Sequence, residues 1–226
     1  MYSGRRNTHQ FRFKNPELKE LRKLGSLVGF PSDFKDRYGR LLTVLNTDVE
    51  DVVLNTLVQF YDSMYRGFAF SDYQFAPNLE EYSYYIGLPV SDQKPFNGLY
   101  EIHKSRVIGE AMHLRKGEID ANLVTKGGIL RLPAKFLMEK DATLSSVGSM
   151  VTFEDALAFV IYGIILFPNV DNFVDTNAIS IFLIRNPLPS LLADTYYFIH
   201  HRTEKNGVIV MCCAPLLYKW FISHLS

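Results

Sequence analysis

Residues 108–123 carry the arrangement that points most directly to chemistry. Ile108, Met112, Leu114, Ile119 and Leu123 have the apolar spacing of a helix-turn-helix whose second helix begins near Lys116. In that geometry Arg115 and Lys116 meet the phosphates of a duplex. Glu118 and Asp120 share the expected face and repel phosphate, and His113 stands where a turn glycine is usual. An ordinary packed helix pair competes with DNA reading here, and these residues favour it. A second group of cations, Arg5, Arg6, Arg12 and Lys14, lies in a basic arm over residues 1–14, expected to be irregular. Residues 1–23 hold seven Lys or Arg against two Glu, a balance of +5. Such an arm can touch nucleic acid or serve as a nuclear-import signal. A solvated terminus is the reading this charge favours.

The other chemically capable residues lead less far. His200 and His201 are adjacent, so on a helix they point about 100° apart and do not converge on one ion. Asp194 can reach one of them at best, and His103 and His113 are isolated in sequence. Cys212 and Cys213 are neighbours, a spacing unsuited to a disulfide between them. They read as small buried hydrophobes in a reducing compartment. The segment "TKGG" at 125–128 lacks the preceding glycine pattern of a phosphate loop. No nucleophile elbow, dinucleotide fingerprint or zinc-protease motif is present. A pyridoxal-phosphate lysine cannot be picked out, and the α/β alternation expected of such an enzyme is missing. The expectation is no catalytic, cofactor-binding or metal-ligating residue, and no cofactor.

Composition supports a folded body. The chain has 226 residues, 47% hydrophobic, enough for a substantial core. Lys plus Arg and Asp plus Glu both total 24, so no global charge draws it to nucleic acid. The longest apolar run, Ala156–Phe167, spans about 18 Å as a helix, short of a bilayer core of about 30 Å. It reads as a buried core helix, with no membrane partner. Residues 1–14 hold no apolar signal region, so secretion is not expected.

The elements that would position these residues are mostly helical. Asn15 and Pro16 resemble a cap and first helical residue, followed by Leu18, Leu21 and Leu24. A second helix after Ser32 carries Phe34, Tyr38, Leu41, Leu42 and Leu45. Thr47 and Glu50 stand at capping-box spacing before a helix whose core face is Val49, Val52, Val53, Leu57, Phe60 and Tyr61. Phe68, Phe70, Tyr73 and Phe75 form one small ribbon near residues 67–76, turning at Ser71–Asp72. Asn78, with Glu81 three residues on, caps a short helix with Leu79, Tyr82 and Ile86 on one face, Tyr82 and Ile86 buried, which ends on Gly87 with positive φ. "GGILRLP" reads as a connector leading to a helix near Pro133. Thr152 caps the apolar helix of 153–166, with Glu154 and Asp155 suiting its positive end. Asp171 starts a helix running to about Arg185. "NPLPS" breaks the chain, Gly207 closes the next helix, and the last one starts near Pro215. Its Leu216, Leu217, Trp220 and Phe221 are expected to fold back onto the 153–166 helix, with Trp220 buried and apolar surface open near Leu225. The fold class is mainly α: eight to ten helices and one ribbon, in a single domain from residue 15 to 226.

Four segments carry a family resemblance. "YRGFAFSDYQFAPNLEEYSYYIGLPV" resembles the signature of the plant mobile domain. "LVTKGGILRLPAKFLMEK", "AFVIYGIILFPNVDNFVD" and "VIVMCCAPLLYKWFISHLS" are similar, in order, to segments of a transposon-associated branch of that family, a domain of unknown function. The likeness runs from about residue 10 onward. It implies a plant protein of transposon origin, working in the nucleus in transposon silencing or gene-expression control, with a phosphatase-like partner. The family is sometimes labelled aminotransferase-like, a label these residues do not support. It also implies that the domain continues past "YKWFISHLS", so this one is expected to be incomplete at its C-terminal end. The resulting reading is a non-enzymatic protein-interaction module. The alternative is a nucleic-acid-binding module using the arm and residues 108–123.

Overall fold

The computed structural model describes residues 11–14, 16–97, 105–126, 128–147, 149–204 and 209–225. Arg5, Arg6, Asn15, His103 and Gly207 lie outside these. The described part holds twelve α-helices: α1 Lys19–Gly25, α2 Pro31–Tyr38, α3 Leu41–Leu45, α4 Asp51–Gln59, α5 Leu79–Ile86, α6 Ser105–Met112, α7 Lys116–Asn122, α8 Ala134–Val147, α9 Met150–Ile161, α10 Thr176–Ile184, α11 Leu188–Glu204 and α12 Ala214–Ser223. It also holds eight short strands: β1 Arg12–Phe13, β2 Tyr61–Asp62, β3 Gly67–Ala69, β4 Gln74–Phe75, β5 Val124–Lys126, β6 Ile129–Pro133, β7 Phe173–Asp175 and β8 Ile209–Val210. Mainly α is right, but one ribbon is too few. Three small sheets are present, ordered β1-β8, β2-β3-β4 and β5-β6-β7.

The core is built around α9. From Ala156 to Ile161 this helix is apolar all round, so that stretch can only be stable inside. Its residues from Phe153 to Ile161 are buried except Asp155, and the chain continues as a buried π-helical turn, Tyr162–Leu166. Gly163 lets β7 approach that turn, because a Cβ there would collide with the side chain of Val174. The helix starts earlier than expected. Ser149, in extended backbone, accepts the Thr152 N–H at 3.2 Å, so Ser149 rather than Thr152 is the cap.

The arm corrects the sequence reading. Phe11 and Phe13 are buried at 1% and 5% exposure, β1 pairs in parallel with β8, and the Lys14 N–H donates to Val210 O at 2.9 Å. Arg12–Phe13 are therefore strand and residues 11–14 are anchored to the core, not an irregular tail, because two phenylalanines alternate with the cations. α1 begins at Lys19, with Pro16 outside it. The expected second helix is two, α2 and α3. Gly39, at φ +66°, breaks it, since a Cβ there would collide with the Ile86 carbonyl.

The helix placed after Thr47 is shorter and rotated. Thr47 donates its hydroxyl to Thr43 O at 2.7 Å, and the N-cap Glu50 makes no side-chain cap bond. Leu54, Leu57 and Val58 are its buried face, while Val52 is 77% exposed. Tyr61 belongs instead to β2, opposite Phe68. The ribbon thus has three strands, with Phe68 in the centre, paired also with Phe75. "GGILRLP" supplies the middle strand of a second antiparallel sheet rather than a connector, with Leu132 fully buried beneath it. Phe173–Asp175 is its third strand, and the Asp175 carboxylate accepts the Ala178 N–H at 2.8 Å. Asp175, not Asp171, therefore starts α10. α11 begins inside "NPLPS", since a proline in a first turn costs no hydrogen bond.

α5 is as its residues require. Asn78 and Glu81 form a reciprocal capping box, Tyr82 and Ile86 are fully buried, and Gly87 is left-handed at φ +69°. α12 packs on α5, α4 and α3. Trp220 is fully buried beside Phe68 and Phe75 and donates its indole N–H to Glu81 at 2.9 Å, while Leu225 is 57% exposed.

Candidate functional site

The α6–α7 pair folds as a tight helical hairpin. His113 makes its turn in the left-handed region, at φ +54°, a conformation uncommon for a residue with a Cβ. Gly109 permits the return, because a Cβ there would stand 2.6 Å from the Leu114 carbonyl. Ile108, Met112 and Ile119 are buried, while Arg115 and Lys116 are exposed at the start of α7. Carboxylates crowd them. Glu118 accepts the Arg115 N–H at 3.1 Å and pairs with Lys140 at 2.5 Å, and Lys116 pairs with Asp120 at 3.3 Å. Lys140 and the Arg115 N–H hold Glu118 below the usual carboxylate range. A duplex would find as many anions as cations on this helix end.

The hairpin is tied to the core through a polar network. Asp155 accepts from Arg37 at 2.8 Å and from the Tyr38 hydroxyl, and it contacts His113 Nε2 at 3.0 Å. Arg37 also pairs with Glu154, which is buried. Burial raises the Glu154 carboxyl, opposed by Arg37, and burial with Asp155 pushes the Tyr38 phenol up to about 12. The guanidiniums of Arg37 and Arg185 lie 5.2 and 5.3 Å from the Tyr38 ring centre. Arg185 is left-handed at φ +58° where α10 ends. This arrangement clamps α2, the hairpin turn, α9 and the end of α10 together. Arg37, Tyr38 and His113 engage Asp155, and the Tyr38 phenol is harder to ionise than a free one. Sequence reading assigned Glu154 and Asp155 only to the positive end of α9. Nothing in the spacing announces Arg37, 117 and 118 positions away in the chain.

A cleft of about 530 Å³ lies beside β1. Its walls include Phe13, Lys14, Val49, Ile165 and Cys212, with Ala214 and Pro215 from the first turn of α12. Lys14, one of the expected phosphate contacts, has a side chain only 10% exposed and pairs with Asp171 at 3.2 Å. Arg12 is exposed on β1. Among the described residues, no hydrogen bond or ion pair joins Arg12 and Lys14 to Arg115 and Lys116, and Arg5 and Arg6 lie outside the described residues.

The remaining candidates separate likewise. His200 packs edge-on to Tyr61 while His201 stacks on Tyr197, so the two rings diverge. Asp194 is pushed up to about 7 by burial and by Asp175. Among the described residues no group of three His, Cys, Asp or Glu can hold a metal ion. Burial raises both cysteine thiols, Cys213 to about 12. No described helix is long and apolar enough to cross a membrane.

One surface is unusually apolar. Leu27, Phe30, Met150 and Val151 are 46%, 65%, 38% and 57% exposed. Gly29, between Leu27 and Phe30 in the chain, lies beside Met150: a Cβ there would sit 3.4 Å from Met150 Cε.

A family model described as "Domain of unknown function (DUF7745)" matches residues 21–226, from α1 through α12. No curated protein and no solved structure matches the chain. The match takes in the α5 stretch, the hairpin, the polar clamp and most of the cleft, and leaves out β1. The chain belongs to this family, the Domain of unknown function (DUF7745).

Proposed function

We propose that the protein is a non-enzymatic protein-interaction module of the plant-mobile-domain type. In this reading it is of transposon origin and acts in the nucleus, in transposon silencing or gene-expression control, with a phosphatase-like partner. The resemblance of the α5 stretch and the three later segments supports the family side of the proposal. The observation that carries the interaction role is the patch of Leu27, Phe30, Met150 and Val151. Three of these four are more than 40% exposed. Adjoining exposed apolar side chains are kept on a surface chiefly where a partner covers them. The test is capture from an extract of plant nuclei by the wild type and by Phe30→Glu/Val151→Glu, matched for thermal stability. The expected result is a discrete set of proteins retained by the wild type and lost from the variant. Equal retention by both would remove the patch from the proposal, and no specific retention by either would remove the interaction role.

The second reading is nucleic-acid binding. It is favoured by the tight hairpin turn at His113 and the exposure of Arg115 and Lys116. Tight binding to a labelled duplex at physiological salt, lost in Arg115→Ala/Lys116→Ala with a reduced salt slope, would put it first. The carboxylates around α7 argue for weak binding.

A further inference from the structure

We propose that the cleft between β1 and the first turn of α12 binds a small amphipathic carboxylate, with Lys14 as its anion anchor. The volume of about 530 Å³ suits a small-molecule site. The charges on its walls are sorted by depth. Glu17, Asp48 and Asp51 are exposed at the rim, whereas the Lys14 side chain is nine-tenths buried. Of the other two lining cations, Lys19 is exposed at the rim and each nitrogen of Arg22 already has a partner. Arg22 Nε and Nη2 donate to Leu45 O and Thr47 O at 3.1 and 3.2 Å, and Nη1 pairs with Asp48 at 2.9 Å. Lys14 is thus the one buried cation of the cleft among the described residues.

Its present partner holds it weakly. Asp171 is 85% exposed and does not line the cleft, so the pair is a surface ion pair on one side and a buried ammonium on the other. Exposed pairs contribute little, and a carboxylate carried into the cleft replaces Asp171 at small cost. Beside Lys14 the walls mix polar groups with the apolar side chains of Phe13, Val49, Ile165 and Pro168, which can receive a small hydrophobic body. The first turn of α12, at Ala214 and Pro215, adds the positive end of a ten-residue helix. A polyanion does not fit, because three rim carboxylates face it. A phosphate dianion fits poorly, because Lys14 is the one buried cation among the described residues of the cleft and the second phosphate charge would face the rim carboxylates. One negative group on an apolar body matches what remains.

The probes are 2-naphthoate and its neutral counterpart 2-naphthalenemethanol, titrated calorimetrically into the full chain. The expected result is naphthoate binding at least ten-fold tighter than the alcohol. Lys14→Gln removes that preference, and Lys19→Gln, at the exposed rim, keeps it. Asp171→Asn frees Lys14 and tightens naphthoate several-fold, a gain that a folding defect cannot mimic. The proposal is overturned by equal affinity for the two probes, by a preference that survives Lys14→Gln, or by no binding of naphthoate at millimolar concentration. If Lys14→Gln does not fold, Asp171→Asn decides, and failure to tighten naphthoate overturns the proposal as well.

Discussion

Asp141 occupies a position that should make the protein less stable as pH rises through neutrality. It lies in α8, one turn from Leu137 on the same face, and both residues are fully buried. α8 packs there against α9 and α1. Neither carboxyl oxygen of Asp141 has a hydrogen-bond partner. Burial alone pushes this carboxyl from 3.8 up to about 8. The folded state therefore keeps a proton that the unfolded chain gives up near pH 4, so stability is highest below that pH. It falls by about 1.4 kcal/mol for each pH unit between about 4 and about 8, then levels off. Four units come to about 6 kcal/mol, comparable with the whole stability of many domains. Asp141→Asn keeps the shape of the protonated acid and cannot ionise. It should match the wild type near pH 4 and exceed it by several kcal/mol at pH 8. Urea unfolding followed by fluorescence of the single tryptophan, at one-unit steps from pH 4 to 9, measures the difference. Parallel pH dependences for the two proteins would refute the argument, as would a variant weaker than wild type at pH 8. Either outcome would mean that Asp141 is ionised and paired in solution.

Other substitutions test the remaining scaffold. Arg37→Met leaves Glu154 and Asp155 without their cation and should cost about 3–5 kcal/mol at pH 7. Because burial already raises Glu154, that deficit should shrink as pH is lowered toward 5, read by thermal melts across pH. Gly87→Val forces a left-handed backbone on a β-branched residue and puts a Cβ 2.8 Å from Arg40 Cγ, so a loss of about 1–3 kcal/mol is expected in denaturant unfolding. Cys212 and Cys213 should react with a thiol reagent only on unfolding, and rapid modification of the native protein would contradict their burial.

Legibility varied with how local the deciding interaction was. The α5 stretch was readable to the residue, because Asn78, Glu81 and Gly87 satisfy backbone groups within the same short segment. The apolar character of α9 was equally plain, since such a helix has nowhere to go but inside. The strands were not. β1, β2 and β8 are two residues long and show no period, and they exist only because a distant segment offers hydrogen bonds. The α4 face was misjudged for a related reason. Val52 and Val53 fit a helical stripe, but the rotation of α4 is set by where α12 and β1 pack on it.

The sites show the same division. Composition and motif content by themselves determined a mainly helical folded body whose charges balance, with the cations placed in two separated clusters. Only the tertiary structure decided what those cations do. It sank Lys14 into a cleft beside α12, surrounded Arg115 and Lys116 with carboxylates, and brought Arg37 to Glu154 and Asp155. Chain connectivity sets which side chains exist and how often they recur. Whether a charge faces water, an apolar wall or an opposite charge depends on elements a hundred residues away, and in this fold that environment separates a solvated lysine from an anchor.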